Sequence, residues 1–318
     1  MSKSDRNNPK RSTASESRYS IFEFEREFPD DRACLDWLVA HRYPDGIYCP
    51  TCEKVTKHHR ENKRPSYACQ FCGHREHPMV GTIFENSATS LRLWFYAIYL
   101  MASTRCGISA KQLERELGVT YKTAWRMFHQ IRTLFDQDAD PLGGEVEMDE
   151  TYVGGRPRKG EISPNTRANR RKWVDENKTQ VFGMVERGGR VRAKVVPSRQ
   201  ARTIQPIVAT HVLPESTIFT DEGFNEYTVG RRYRGRHHRI RHRAGIYVDG
   251  NVHTQTIEGF WSLLKNGLRG VYHSVSEKHL QSYVDEYAFR YNHRKAGGRG
   301  VFTAMLDRIP EASSEQPS

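Results

Sequence analysis

The sequence predicts a multidomain protein in which a cysteine-pinned module and a helical segment precede an α/β domain with a mixed sheet. Three observations carry this. Two Cys-x2-Cys pairs stand 16 residues apart, Cys49 with Cys52 and Cys69 with Cys72. Two short amphipathic helical patterns then meet at Gly118. From residue 145 the apolar period changes, and the elements run strand, strand, strand, helix, strand.

The chain has 318 residues, enough for about two or three domains with at least one sizeable core. Lys and Arg number 50 against 38 Asp and Glu, a net charge of +12. Such an excess fits a polyanionic partner, nucleic acid first, with general solubility as the plainer explanation. No run approaches the roughly 18 apolar residues of a membrane span. Residues 1–18 lack the apolar centre of a signal peptide and read as a disordered polar arm. Six cysteines are too few for a disulfide scaffold and suit a reducing compartment. The expectation is a soluble, cytoplasmic protein with no membrane partner.

Residues 19–80 form the first region. A single helix is expected within 19–43, burying Cys34, Leu35, Leu38 and Val39. The two cysteine pairs follow, with Pro50 and Gly73 placed for tight knuckle turns. Four thiolates at this spacing suit a tetrahedral Zn2+ site; two metal-free cysteine pairs are the alternative. A four-thiolate site has no open position, so this zinc is structural. The basic residues Lys54, Lys57, His58, His59, Arg60, Lys63 and Arg64 make the intervening loop a candidate DNA contact. His58, His59, His74 and His77 are rival ligands or surface histidines. Cys34 and Cys106 read as buried thiols.

Residues 81–140 are helical in pattern. Ser109 with Gln112 has the form of a capping box. Leu113 and Leu117 face inward, and Gly118-Val119 makes a turn. Thr120 caps a second helix with the stripe Ala124, Met127, Phe128, Ile131, Leu134 and Phe135. This fits a helix-turn-helix whose exposed Tyr121, Lys122, Trp125 and Arg126, with Arg132 beyond, would contact DNA. A plain helical hairpin, serving as spacer or dimer surface, is the alternative.

Residues 141–296 form the α/β region. Strands are expected at 145–153, 180–186, 191–196 and 217–220, with helices at 201–212, 254–266 and 276–293 and a further β-rich piece around Tyr247. The first three strands form an antiparallel meander. Residues 297–318 read as a loose tail. Asp149 lies in the first strand, with Glu147 on its face and Glu150 on the other; one of these acids could face a site while its neighbours are solvated. Asp221 closes a short apolar strand beside Gly223. Glu258 flanks the helical stripe Ile257, Phe260, Trp261 and Leu264, with Lys265 two turns on. Each acid alone reads as solvated. Together, on a basic chain, they suit two-metal phosphoryl transfer with Mg2+ or Mn2+. No phosphate-binding loop of the GxxxxGK[ST] kind is present.

The segments CPTC, CQFC, MDETYVGG, FTDEG, VHTQTIEGFWSLLKNGLRGVYHSVS and YVDEYAFRYNHR together resemble those of bacterial insertion-sequence transposases. That family joins an N-terminal zinc ribbon to a DDE catalytic domain of α/β ribonuclease-H-like fold. The resemblance covers roughly residues 20–295. It implies that Asp149, Asp221 and Glu258 are the catalytic, Mg2+- or Mn2+-binding triad, and the 36 residues between the last two suit it. It implies a transposase that binds terminal inverted repeats, cleaves and transfers DNA strands, and works near the nucleoid as a homodimer or larger assembly. Gln255 stands where Asn is expected, which touches substrate positioning alone. His253 is either an auxiliary contact or a structural histidine.

Two basic runs fit the same expectation. Residues 156–172 hold seven Arg or Lys, and 231–243 hold seven Arg and three His. Arg231, Arg232, Arg234 and Arg236 become candidate DNA contacts that give affinity without sequence; a solvated charge run is the alternative. Two rival functions remain: a non-catalytic DNA-binding regulator derived from a transposase, and a stand-alone nuclease.

Overall fold

The structure is a computed structural model that describes residues 19–62, 64–135, 140–155, 166–224, 226–240 and 253–309. The arm expected at 1–18 lies outside them, as do the piece around Tyr247 and the first half of the 156–172 run. The chain divides into two compact units, Met1–Leu134 with His293–Ser318, and Phe135–Asn292.

In the first unit, α1 (Ile21–Glu27) starts at Ser20, which shares reciprocal capping bonds with Glu23. Helix α2 (Asp31–Arg42) is capped by Asp30, whose carboxylate accepts the Ala33 N–H at 2.8 Å. The sequence suggested one helix here. There are two, because Pro29 cannot donate a helical hydrogen bond and Asp30 takes extended dihedrals. Cys34, Leu35 and Leu38 are buried as expected; Val39 is half-buried. Short strands follow. β1 (Tyr48–Cys49) pairs with β2 (Lys54–Val55), and β3 (His58–Arg60), β4 (Tyr67–Cys69) and β5 (Arg75–Glu76) form an antiparallel sheet. Gly73 turns the second knuckle at φ +73°.

Helix α3 (Leu91–Ser103) buries Trp94, Phe95, Ile98 and Tyr99. Helices α4 (Ala110–Leu117) and α5 (Tyr121–Arg132) are joined through Gly118 in the left-handed region. Ser109 and Thr120 cap them as expected. The capping box is only half made, because the Gln112 amide donates to Glu116 instead of reaching back. Cys106 is exposed, not buried, since it sits in the turn before α4.

The second unit comprises β6 (Glu145–Val153), α6 (Arg167–Asn177), β7 (Thr179–Glu186), β8 (Val191–Val196), α7 (Ala201–His211), β9 (Thr217–Asp221), α8 (Glu226–Val229), β10 (His237–Ile240), α9 (Gln255–Gly267) and α10 (Glu277–Asn292). The sheet order is β10-β9-β6-β7-β8. Strands β6, β7 and β8 make the expected antiparallel meander; β9 runs parallel to β6, and β10 parallel to β9. Alternation along the strands divides the core into two layers. Val146, Met148, Phe182, Met184 and Ile218 face Ile204 and Val208 of α7. Val181, Val185, Val191 and Ala193 face Ile257, Phe260, Trp261 and Leu264 of α9, together with Val284 and Tyr287 of α10.

The expected loose tail is corrected over its first half. Residues Gly297–Leu306 form α11, which returns to the first unit and packs on α3. Phe302 is 2% exposed and lies against Tyr19, Phe24, Phe28 and Tyr99. Burial of this face overrides the poor helix propensity of its glycines. Among the described residues no helix is long and apolar enough to cross a membrane.

Candidate active site and metal centre

The parallel register of β6 with β9 pairs Glu147 with Phe219 and Met148 with Thr220. One step further, Asp149 and Asp221 become neighbours, and the strand period puts both on the α9 side of the sheet. Asp221 is held by the turn behind it, where the Gly223 N–H donates to its Oδ1 at 2.8 Å. On the other side Asp149 pairs with Gly183 of β7. A Cβ at Gly183 would stand 2.5 Å from Trp261 Cη2, so glycine lets the indole lie on the sheet. Trp261 Nε1 then donates to Asp149 Oδ2 at 3.0 Å.

Glu258 lies one turn before Trp261 on α9. It is exposed, and its Oε1 accepts the Thr254 hydroxyl at 3.1 Å. The two aspartates are thus brought together and the glutamate's helix is laid beside them. The three do not form a closed cluster: among the described residues, only the four cysteines gather three or more candidate ligand atoms within 4.8 Å of one another.

The sequence expectation that acids beside Asp149 are solvated is overturned. Glu147 is 0% exposed. Its Oε2 accepts the N–H groups of Thr256 (2.8 Å) and Ile257 (3.0 Å), and its Oε1 accepts Thr256 Oγ1 (2.9 Å) and Arg187 Nε (2.8 Å). His253 Nδ1 lies 3.2 Å from the same oxygen, which fits the structural reading of that histidine. Glu150 pairs with Arg199 at 3.1 Å, and its Oε2 is buried without a hydrogen-bond partner. Burial first, then the charges of Glu150 and Asp221, pushes Asp149 up to about 7, against the Trp261 bond. Burial, then Asp221, raises Glu150, with Arg199 opposing. Lys265 is lowered chiefly by burial while Asp149 supports its charge, in keeping with its expected place on this face. Desolvated carboxylates that repel one another are a donor set for a hard divalent cation. Glu147, Gly183, Trp261, Arg187 and Arg199 escaped the sequence argument because each acts through a partner distant in the chain; the shared face of Glu147 and Asp149 was the one legible hint.

The cysteine site is better closed. Cys49 and Cys72 sulfurs lie 3.4 Å apart and those of Cys52 and Cys69 3.9 Å. Zn–S bonds of about 2.3 Å in a tetrahedron demand about 3.8 Å between sulfurs, so the four thiols fit zinc. The Thr56 hydroxyl, 3.2 Å away, is the main cause holding Cys69 down at about 5, favouring the thiolate.

The candidate DNA contacts divide. Tyr121 and Trp125 of α5 are 48% and 41% exposed, and Lys122 is exposed beside them. Arg126 is exposed but donates to Ser87 Oγ at 2.9 Å. Arg132 is corrected: it is 2% exposed, with its guanidinium 4.0 Å over the Phe128 ring. In the second unit Arg231, Arg232, Arg234 and Arg236 are exposed. Arg232 donates to the Ala209 and Val212 carbonyls and Arg236 to that of Pro214, so these two also tie their segment to the end of α7.

Comparison with known proteins finds two family models on the chain. The ISXO2-like transposase domain matches residues 141–292 and the transposase zinc-ribbon domain matches residues 29–75. The chain is 30% identical over 298 residues to an uncharacterized protein in transposable element ISH50 of Halobacterium salinarum, covering 89% of this chain and 98% of that protein. It is 29% identical over 103 residues to an uncharacterized transposase-like protein of Haemophilus influenzae, covering 32% and 81%. No solved structure matches the chain.

Proposed function

The chain belongs to the family with an ISXO2-like transposase domain and a transposase zinc-ribbon domain, and from that membership we propose that it cuts and rejoins DNA at the ends of its element. The observation that carries the chemistry is the parallel register of β6 and β9, which runs to Met148 and Thr220, the residues just before Asp149 and Asp221, together with the Trp261–Asp149 bond that sets the helix of Glu258 against β6. The sheet order, an antiparallel meander extended by two parallel strands, supports a ribonuclease-H-like reading of this unit. Helices α4 and α5 around Gly118 support a helix-turn-helix reading of the other.

Asp149, Asp221 and Glu258 would hold Mg2+ or Mn2+, which when bound polarises the scissile phosphate and activates water or a 3′-hydroxyl. Trp261 fixes the Asp149 carboxylate by its N–H, Gly223 fixes Asp221, and the Thr254 hydroxyl orients Glu258. Water attacks the phosphate at each end, leaving a 3′-OH and a 5′-phosphate; that 3′-OH then attacks a target phosphate, whose bond to the 3′-oxygen breaks, so the target's 3′-hydroxyl leaves and the element's 3′ end is joined to the target's 5′-phosphate. The zinc ribbon and the exposed Tyr121, Lys122, Trp125 and Arg126 read the terminal repeats, and Arg231, Arg232, Arg234 and Arg236 hold phosphates. Joining two ends calls for a dimer or larger assembly.

The test is cleavage and strand joining on labelled element ends with Mg2+, comparing wild type with Asp149→Asn and Glu258→Gln. Both variants are expected to lose at least about 100-fold in rate while still binding the ends. Equal activity in all three would remove these residues from the site. DNA binding without cleavage by the wild type would favour the regulator derived from a transposase.

A further inference from the structure

We propose that Glu147 is a positioning residue, locking the helix that carries Glu258 to the strand that carries Asp149. The inference rests on the three-carboxylate reading above and adds the residue that sets its geometry.

A helix leaves its first N–H groups without partners, and a capping side chain just ahead of it ordinarily takes them. Helix α9 departs from this. Its N-cap Thr254 makes no capping bond with its side chain; the hydroxyl donates to Glu258 instead. The capping is supplied 109 and 110 residues away in sequence by Glu147, which accepts the Thr256 and Ile257 N–H groups. A carboxylate is the right group for this end, where the helix dipole is positive. Arg187 braces it from behind, donating to Glu147 Oε1 and, at 2.9 Å, to the His253 carbonyl just before the helix.

The placement is what gives the contact meaning. Glu147 stands two residues before Asp149 on the same face of β6, and Ile257 directly precedes Glu258. One carboxylate therefore fixes the distance between strand and helix next to both metal-ligand candidates. The position is fully buried, beside a layer of Val, Ile, Phe and Trp side chains. Burying an acid there is costly unless it is paired and hydrogen-bonded, and the partners that offset the cost are the helix N–H groups and Arg187. Relieving Thr254 of capping also frees its hydroxyl to orient Glu258.

The experiment uses the full-length chain. Mn2+ binding is followed by the electron paramagnetic resonance of free Mn2+, and amide exchange in the first turn of α9 by mass spectrometry. Glu147→Gln is expected to weaken Mn2+ binding and slow cleavage together by about 10–100-fold. Exchange at residues 255–258 should rise, with the unfolding midpoint of the second unit and DNA-end binding held. Glu147→Asp, which keeps the charge but withdraws it, should fall between. Asp149→Asn should abolish Mn2+ binding yet leave that exchange at the wild-type rate. Wild-type Mn2+ affinity in Asp149→Asn would defeat the three-carboxylate reading itself. Loss of Mn2+ in Asp149→Asn with wild-type affinity in Glu147→Gln would overturn the positioning role alone. Failure of both Glu147 variants to fold the second unit would also overturn it, leaving a purely structural acid.

Discussion

At Gly183 the sheet makes room for a tryptophan, and that single missing Cβ decides how Asp149 is held. Gly183→Ala would place a methyl 2.5 Å from Trp261 Cη2 and 3.0 Å from Ile257 Cδ1. The indole must then rise or the strands part. Overpacking of this kind costs about 1–3 kcal/mol, and urea unfolding should read that loss. Cleavage should fall further than stability, because Trp261 carries a hydrogen bond to Asp149. His237 offers a second test, in pH. Burial first, then Arg239 and His238, pulls its imidazole down to about 4, while Nε2 stays 2.8 Å from Thr220 Oγ1. Below the ordinary value of 6.5 the unfolded chain takes up a proton that the folded one refuses. The stability is therefore full above 6.5 and is lost as pH falls toward 4. His237→Asn should flatten this slope by on the order of 1 kcal/mol between pH 7 and 5, discounted for partial solvent screening.

Helix α9 is fastened at both ends, and neither fastening could be read from its own sequence. Its start depends on Glu147. At its end Gly267 lies so close to α10 that a Cβ would fall 1.5 Å from the Tyr287 hydroxyl. A π-helical turn, Leu268–Tyr272, follows, and the Tyr272 hydroxyl donates to the buried Glu286, itself paired with Arg290 at 2.7 Å. What was legible was the element: the stripe Ile257, Phe260, Trp261, Leu264 named the helix and its buried face. The same holds for β6, β7, β8 and β9, whose apolar runs give strands directly. Strand β10, His237-His238-Arg239-Ile240, has no such run; it exists because β9 offers a parallel edge. Helix α11 hid behind Gly297, Gly298 and Gly300 for the same reason, its stability coming from contacts made far back in the chain. Phe302→Ala tests this. Removing a ring packed among four aromatics should cost about 3–5 kcal/mol, with the first unit losing stability to denaturant and the second unchanged.

The two units draw stability from different sources, and the four cysteines that can hold zinc belong to one of them. Strands β1 to β5 have two or three residues each, too short to persist as hairpins without a cross-link. The four cysteines supply it when metal is bound. The second unit rests on a five-stranded sheet with an apolar layer on each face and contains none of the six cysteines. Zinc removal by a strong chelator at neutral pH should therefore raise amide exchange across residues 48–76 while leaving residues 145–221 protected. The aromatic packing of Phe24, Phe28, Phe95 and Phe302 uses no metal and should hold α1, α3 and α11 together. Specific binding to element ends should weaken, whereas Mn2+ binding at the carboxylates, measured after re-addition of Mn2+ alone, should return. Exchange rising in both units together would mean that zinc stabilises the whole chain rather than the first unit. Cutting of non-specific DNA by the zinc-free protein after Mn2+ is restored, with selectivity for the ends gone, would separate recognition from chemistry within one molecule.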